Sequence, residues 1–285
     1  MSNKKLDVIE DIISSLLFVN GDSIHPLKDC VKFVENFIFE QLRIVLKNAN
    51  ENRISRNASK LNYVDFLVQA RKHSNLMKRF LLRIKSYEEA QKAKSFYDSL
   101  KNTDCDYDDY SGYADILTIP DDDEEELSKS LESILEMMDG CEEYINFIKN
   151  GYIFTDITKQ KIMQKKEERT KNMSTDEYII FENSRSKTLF STTYIKCARH
   201  KTILEMIDPQ FNFSTLSLEA IHSLNFITSE IVSILVAQAT EIRSHILKND
   251  SSKYYESISL DYYKLALKKT SRYMKTGNYL FGVID

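Results

Sequence analysis

From Leu27 to Ala49, apolar residues recur every three or four positions: Leu27, Val31, Val34, Ile38, Leu42, Val45 and Ala49. No Pro or Gly interrupts the run, so it predicts one helix of about seven turns at ~3.6 residues per turn. Cys30, Phe33, Phe37 and Ile44 add a second apolar stripe on another side of the same helix. A surface helix needs one apolar face. A long helix with two must be gripped from both sides, and no short chain segment can do that alone.

The flanks of this helix are also patterned. Leu6, Ile9, Ile13 and Leu16 predict a short helix before it, ended by Gly21 and Asp22, with Pro26 in the first turn of the long one. The polar stretch Asn48–Lys60 ends the long helix. Asn62 is a candidate cap for a short helix carrying Val64, Leu67, Val68 and Ala70, with Asp65 in its first turn. A further helix is expected over Asn75–Ile84. The rhythm returns near the C-terminus. A short helix over Thr192–Met206 is broken by Asp208-Pro209. Ser217 is then placed to cap a long helix carrying Leu218, Ile221, Leu224, Thr228, Ile231, Leu235, Ile242 and Ile246. Ser259 is placed to cap a last helix, with Asp261 in its first turn and Tyr262, Leu265 and Ala266 inside.

A long helix between two short ones, twice in one chain, is the histone-fold pattern. A single copy cannot bury its own long helix and clasps a partner head to tail; two copies in one polypeptide can satisfy each other. The roughly 100 intervening residues span any such distance at ~3.3 Å per extended residue. The expected fold class is therefore all-α, with two histone folds forming an intramolecular pair. Val31, Val34, Ile38, Leu42, Val45, Ile221, Leu224, Ile231 and Leu235 are the expected pairing core. An ordinary helical bundle fits the periodicity too.

Composition agrees: Gly is scarce at 6 and Pro at 3 among 285 residues, as in mostly helical chains. Charge is uneven. Asp98 to Glu126 holds twelve carboxylates and one base, so that segment carries −11 and the rest +7 of a net −4. It reads as an acidic, disordered linker. The expected division is 1–97, a first histone fold with an extra helix; 98–126, the linker; 127–186, a helical connector; and 187–285, a second histone fold. No run reaches the ~18 uninterrupted apolar residues of a membrane helix, and the N-terminus lacks a signal-peptide pattern.

No chemistry-bearing constellation stands out. The histidines His25, His73, His200, His222 and His245 and the cysteines Cys30, Cys105, Cys141 and Cys197 lack zinc-site spacing, although Cys197 and His200 lie one turn apart. There is no nucleophile elbow, phosphate-cradling Gly loop or H-E-x-x-H. The scattered cysteines fit a reducing compartment. No catalytic residue, metal or cofactor is expected. Arg53, Arg56 and Lys60, and the run Lys159, Lys161, Lys165, Lys166, Arg169 and Lys171, make a histone-like DNA-binding or DNA-bending factor the alternative reading. The overall acidity and a possible pairing of the first group with Asp65 argue against it.

The segment from Glu168 through Arg169, Thr170, Lys171, Asn172, Met173, Ser174, Thr175, Asp176 and Glu177 to Tyr178, continuing to Phe181, Arg185 and Phe190, closely resembles the "ERTKNM…EY" signature of the suppressor-of-Ty histone-fold subunit of the SAGA coactivator. Phe226-Ile227-Thr228-Ser229-Glu230-Ile231-Val232 is similar to that family's "FLTFEIV" stretch. The region through Asp65-Phe66-Leu67-Val68 is similar to its first fold. The family usually has Trp near position 181 and Cys near 184, where this chain has Phe181 and Ser184. The resemblance implies a nuclear, non-enzymatic scaffold that binds the TATA-binding protein and delivers it to promoters beside other SAGA histone-fold subunits. Glu230 is the candidate contact, either facing solvent or paired with a base from another element.

Overall fold

The computed structural model describes residues 3–101, 131–136, 138, 140–192, 198–247 and 256–283. The acidic segment expected as a linker lies almost wholly outside them. Every regular element among the described residues is a helix: α1 (Asn3–Asn20), α2 (Lys28–Ser55), α3 (Tyr63–Ala70), α4 (Ser74–Lys101), α5 (131–136), α6 (Glu142–Lys149), α7 (Ile157–Lys171), α8 (Thr175–Arg185), α9 (Ala198–Ile207), α10 (Leu218–Ile246), α11 (Leu260–Lys269) and α12 (Ser271–Thr276), with a 3-10 turn at Phe213–Thr215. They form two units, residues 1–69 with 156–285, and residues 70–155.

The first unit is built round α2 and α10, which pack on each other. α2 runs one and a half turns beyond the predicted end, to Ser55. Pro26 sits just ahead of the helix, whose cap residue is Leu27, rather than inside its first turn. Ser217 caps α10 by accepting from the Ala220 amide at 3.0 Å, whereas Ser259, at the N-cap position of α11, makes no side-chain cap hydrogen bond. Val31, Val34, Ile38, Leu42 and Val45 on α2, and Ile221, Leu224, Ile231 and Leu235 on α10, are all buried. The second face of α2 is covered by the C-terminal segment. Gln41, itself buried, donates to the Gly277 carbonyl at 3.0 Å and accepts from the Tyr279 amide at 2.7 Å. Phe37 meets the edges of Tyr273 and Tyr279. Gly277 takes φ +70°, a left-handed conformation that ends α12 and turns the chain into this contact.

α10 carries buried apolar residues round most of its circumference. By length and composition it could cross a membrane, yet 83% of its most apolar window is buried in the fold, where α1, α2 and α11 surround it. It is a core helix.

In the second unit, α4 packs on α6. Glu143 accepts from Ser74 and Lys78, and Tyr144 donates to the Arg71 carbonyl. Phe147 gathers Tyr152 and Phe154 edge-on, and Lys85 lies over the Tyr152 ring at 4.7 Å. α4 continues well past the predicted Ile84. Its apolar stripe stops there, but the Glu-, Lys-, Ala- and Gln-rich stretch beyond it has high helix propensity, with a Lys85–Glu89 pair one turn apart.

Removing core volume from either long helix leaves a cavity that close packing cannot refill. Ile38→Ala and Leu235→Ala, both at fully buried positions, are expected to lower unfolding free energy by roughly 2–5 kcal/mol each in urea melts. Ser229→Ala, on the exposed side of α10, should stay within about 0.5 kcal/mol of the parent.

Candidate functional site

The two long helices are joined at both ends by loop contacts. At one end the segment after α2 meets the segment before α10. The Leu61 amide donates to the Thr215 carbonyl at 2.9 Å, and Ser217 donates to the Leu61 carbonyl. The Tyr63 amide donates to Glu219 at 3.1 Å, and the Tyr63 hydroxyl lies 3.0 Å from Nδ1 of buried His222. At the other end the segment between α1 and α2 meets the segment before α11. The carboxylate of buried Asp22 accepts from the Ile258 amide and the Tyr263 hydroxyl, both at 2.8 Å. Ser23 and Ser257 share a hydroxyl contact of 2.7 Å, and Cys30 Sγ donates to the Ile258 carbonyl. The arrangement is head to tail: the loop leading into each long helix meets the loop leaving the other.

Asp22 is the polar centre of the second junction. Burial pushes its carboxyl above the ordinary 3.8, against the lowering effect of its hydrogen bonds from Ile258, Tyr263 and Ser23 and of the Arg243 charge. Burial likewise raises the Cys30 thiol to about 12, with nearby Asp22 adding to the shift. That cysteine packs and donates a weak hydrogen bond; at neutral pH it is not a thiolate.

The motif helices brace this junction. α7 buries none of its residues and has no apolar stripe, so polar contacts hold it. Asp156 caps it through the Lys159 amide. Lys159, Lys166 and Arg169, seven and three residues apart, fall on one face. Lys159 reaches Glu230 on α10 at 2.9 Å, and Lys166 donates to Asn20 at 2.8 Å. Arg169 donates to the Phe18 and Asp22 carbonyls and lies over the Phe18 ring at 4.7 Å. Crowding has a cost: burial, then repulsion from Lys159, lowers Lys166 to about 8. α8 opens with a reciprocal capping box between Ser174 and Glu177 and buries Phe181 and Ser184. Phe181 meets the edge of Phe18 at 5.9 Å, and Tyr178 stacks beside Phe181.

Of the motif residues, Arg169 is thus the clamp, Glu177 the reciprocal partner of the Ser174 cap and Tyr178 a packing residue. Thr170 bonds back to the Glu167 carbonyl, Met173 is half-buried, Arg185 pairs with Glu182, and Glu168 is exposed. Glu230 is buried at 4% exposure and paired with a base from another element. The loop bases are also engaged. Arg56 grips Asp65, which is fully buried, through Nε and Nη2 at 2.8–3.0 Å, and Arg53 donates to the Ala58 carbonyl. Asn62 does not cap α3 with its side chain; Asp65 instead reaches back to the Asn62 amide. The pairing of Cys197 with His200 lies outside the described residues, since Cys197 is not among them. Within them, His200 is buried and its Nε2 accepts from the Ser191 amide, and no three His, Cys, Asp or Glu cluster as metal ligands.

Sequence reasoning does not single out Asp22 or Gln41. Asp22 reads only as a helix stop, and Gln41 as a polar residue between apolar ones. The signal for Gln41 is its place on the second apolar face of α2, between Phe37 and Ile44.

The helices round α2 and those round α10 are thus joined through these loop contacts in an all-helical unit. Residues 7–98, from α1 into α4, match the family model described as Transcription initiation factor IID, 18kD subunit. The match covers less than half of the chain and supports a histone-fold protein of transcription initiation, a class that works as heterodimers within transcription complexes. No curated protein and no solved structure gives a significant match to the chain.

The raised Asp22 carboxyl has a defined pH signature. A folded-state value above the unfolded one means that the native state holds the extra proton. The stability it contributes is full below about 3.8 and lost as pH rises through the higher folded value. Asp22→Asn removes this titration. The melting temperature of the parent minus that of the variant should fall as pH is raised from about 3.5 to 7. A constant difference would mean that Asp22 titrates normally.

Proposed function

We propose that this chain is a tandem histone-fold subunit of the SAGA coactivator that binds the TATA-binding protein and helps deliver it to promoters for RNA polymerase II. In this reading residues 1–97 supply one histone fold, 187–285 supply the other, and 127–186 are the connector carrying the signature motif. The two folds pair with each other, so the chain brings its own heterodimer partner. The observation that carries the reading is the head-to-tail joining of α2 and α10 through both loop pairs, within a chain whose residues 7–98 match a transcription-initiation family. The motif contributes by fastening Arg169 to the Phe18–Asp22 corner that one of those junctions needs. The protein acts in the nucleus as a scaffold, without catalysis of its own.

The alternative, a histone-like DNA-bending factor, is disfavoured because most of its candidate bases are engaged within the chain, with Lys60, Lys161 and Lys165 left exposed. Arg56 is committed to Asp65 and Arg53 to its own loop, while Lys159, Lys166 and Arg169 turn toward α1 and α10.

Glu230 remains the candidate contact for the TATA-binding protein, in a specific form: a cation of the partner takes the place of Lys159 at the carboxylate. Purification of the tagged chain from nuclear extract should recover the TATA-binding protein and SAGA histone-fold subunits. Glu230→Gln should weaken capture of purified TATA-binding protein several-fold at low salt, and Lys159→Ala should not weaken it. Recovery of neither class of partner overturns the reading; equal capture by parent and both variants removes Glu230 from the interface.

A further inference from the structure

Helix α8 turns Phe181 and Ser184 inward and leaves Tyr178, Ile179 and Ile180 exposed at 45, 53 and 43%. Three large apolar residues in succession on the outside of a folded helix are a liability unless something uses them. At about 100° per residue, Ile179 stands opposite Phe181, with Ile180 beside it. Asp176 lies one turn away between the two isoleucines.

Tyr178 stacks on Phe181, but folding does not need the side chains of Ile179 and Ile180. α8 is fixed by its capping box and by the Phe181–Phe18 contact, and polar residues at 179 and 180 would serve the helix as well. The surroundings are acidic. Asp176 and Glu177 occupy the first turn, and the cations near the helix are engaged within the chain: Arg169, in whose field Glu177 lies, at the Phe18–Asp22 corner, Lys171 on Glu167, Arg185 on Glu182 and Lys187 on Asp11.

We propose that the face formed by Ile179, Ile180 and Asp176 docks a folded protein partner whose contacting surface is apolar and bordered by Lys or Arg. Charge selects this occupant. A second copy of the chain, meeting this patch with its own across a two-fold axis, would set Asp176 and Glu177 against the same acids. Nucleic acid would meet the exposed Asp176 carboxylate between the two isoleucines. This surface is separate from Glu230, which is buried on α10. In taking the TATA-binding protein as its probe, the inference rests on the function proposed above.

The test uses the full chain and purified, labelled TATA-binding protein, titrated at low and moderate salt. Ile179→Ser with Ile180→Ser, at exposed positions, should keep the parent melting temperature and weaken binding about tenfold or more. Asp176→Lys should weaken binding mainly at low salt, while Asp176→Asn should have a smaller effect in the same direction. Parent-like binding by all variants overturns the docking face while leaving the proposed function standing. Absence of binding by the parent itself removes that function, and this surface's partner with it. Concentration-dependent dimerisation of the parent, lost in the isoleucine variant, assigns the face to a second copy and overturns the partner proposed here.

Discussion

Helix α2 hides Cys30, Val34, Glu35, Phe37, Ile38, Gln41 and Leu42 from solvent, residues that point in several directions round its axis, and α1, α9, α10 and α11 all pack on it. α10 and the loop before α11 cover part of the helix, and the C-terminal segment after α12 covers Phe37 and Gln41. This mutual burial is the constraint on which the rest of the first unit depends. The buried backbone and polar groups at the crossing then need partners, and the two loop junctions provide them. Gln41 shows the principle on a small scale: both functions of its amide are satisfied by backbone from the far end of the chain, so the buried side chain is not left unpaired.

A second layer of order is electrostatic. α7 fully buries none of its residues, yet it is held against α1 and α10 by three long basic side chains whose stems and heads reach Glu230, Asn20 and the Phe18–Asp22 corner. The same corner receives Phe181 from α8. Phe18 therefore sits between a guanidinium on its face and an aromatic edge. A motif legible as a string of letters becomes, in three dimensions, a brace on the loop that presents Asp22 to Ile258 and Tyr263. The clamp and the junction share one residue, so loosening Arg169 should be felt across the pair.

How far the fold and the site are legible in the letters depends on the range of the contacts that hold each element. The long helices are legible because their periodicity is local and uninterrupted. Ser217 is legible as a cap because a hydroxyl three residues before the Ala220 amide needs only local geometry. The apolar stripe understates α4 because the second half of that helix is held by propensity and an i,i+4 ion pair, which a stripe does not report. Asp22 and Gln41 escape notice because their importance lies in partners more than 200 residues away. The basic run on α7 looks like one surface in the sequence. Helical spacing divides it, turning Lys159, Lys166 and Arg169 inward and leaving Lys161 and Lys165 exposed. Glu230 can pass for a surface acid and is buried, because α7 brings a lysine to it that no local pattern announces.

In the proposed tandem fold the two halves of one chain pair with each other. Ser23 and Ser257, with hydroxyls 2.7 Å apart, allow it to be tested covalently. Replacing both by cysteine puts two sulfurs where a disulfide can close with little rearrangement. After mild oxidation, peptide mapping by mass spectrometry should find the 23–257 bond within a monomeric chain whose helical content matches the parent. No bond between these positions, or one found only between two chains, would contradict the pairing.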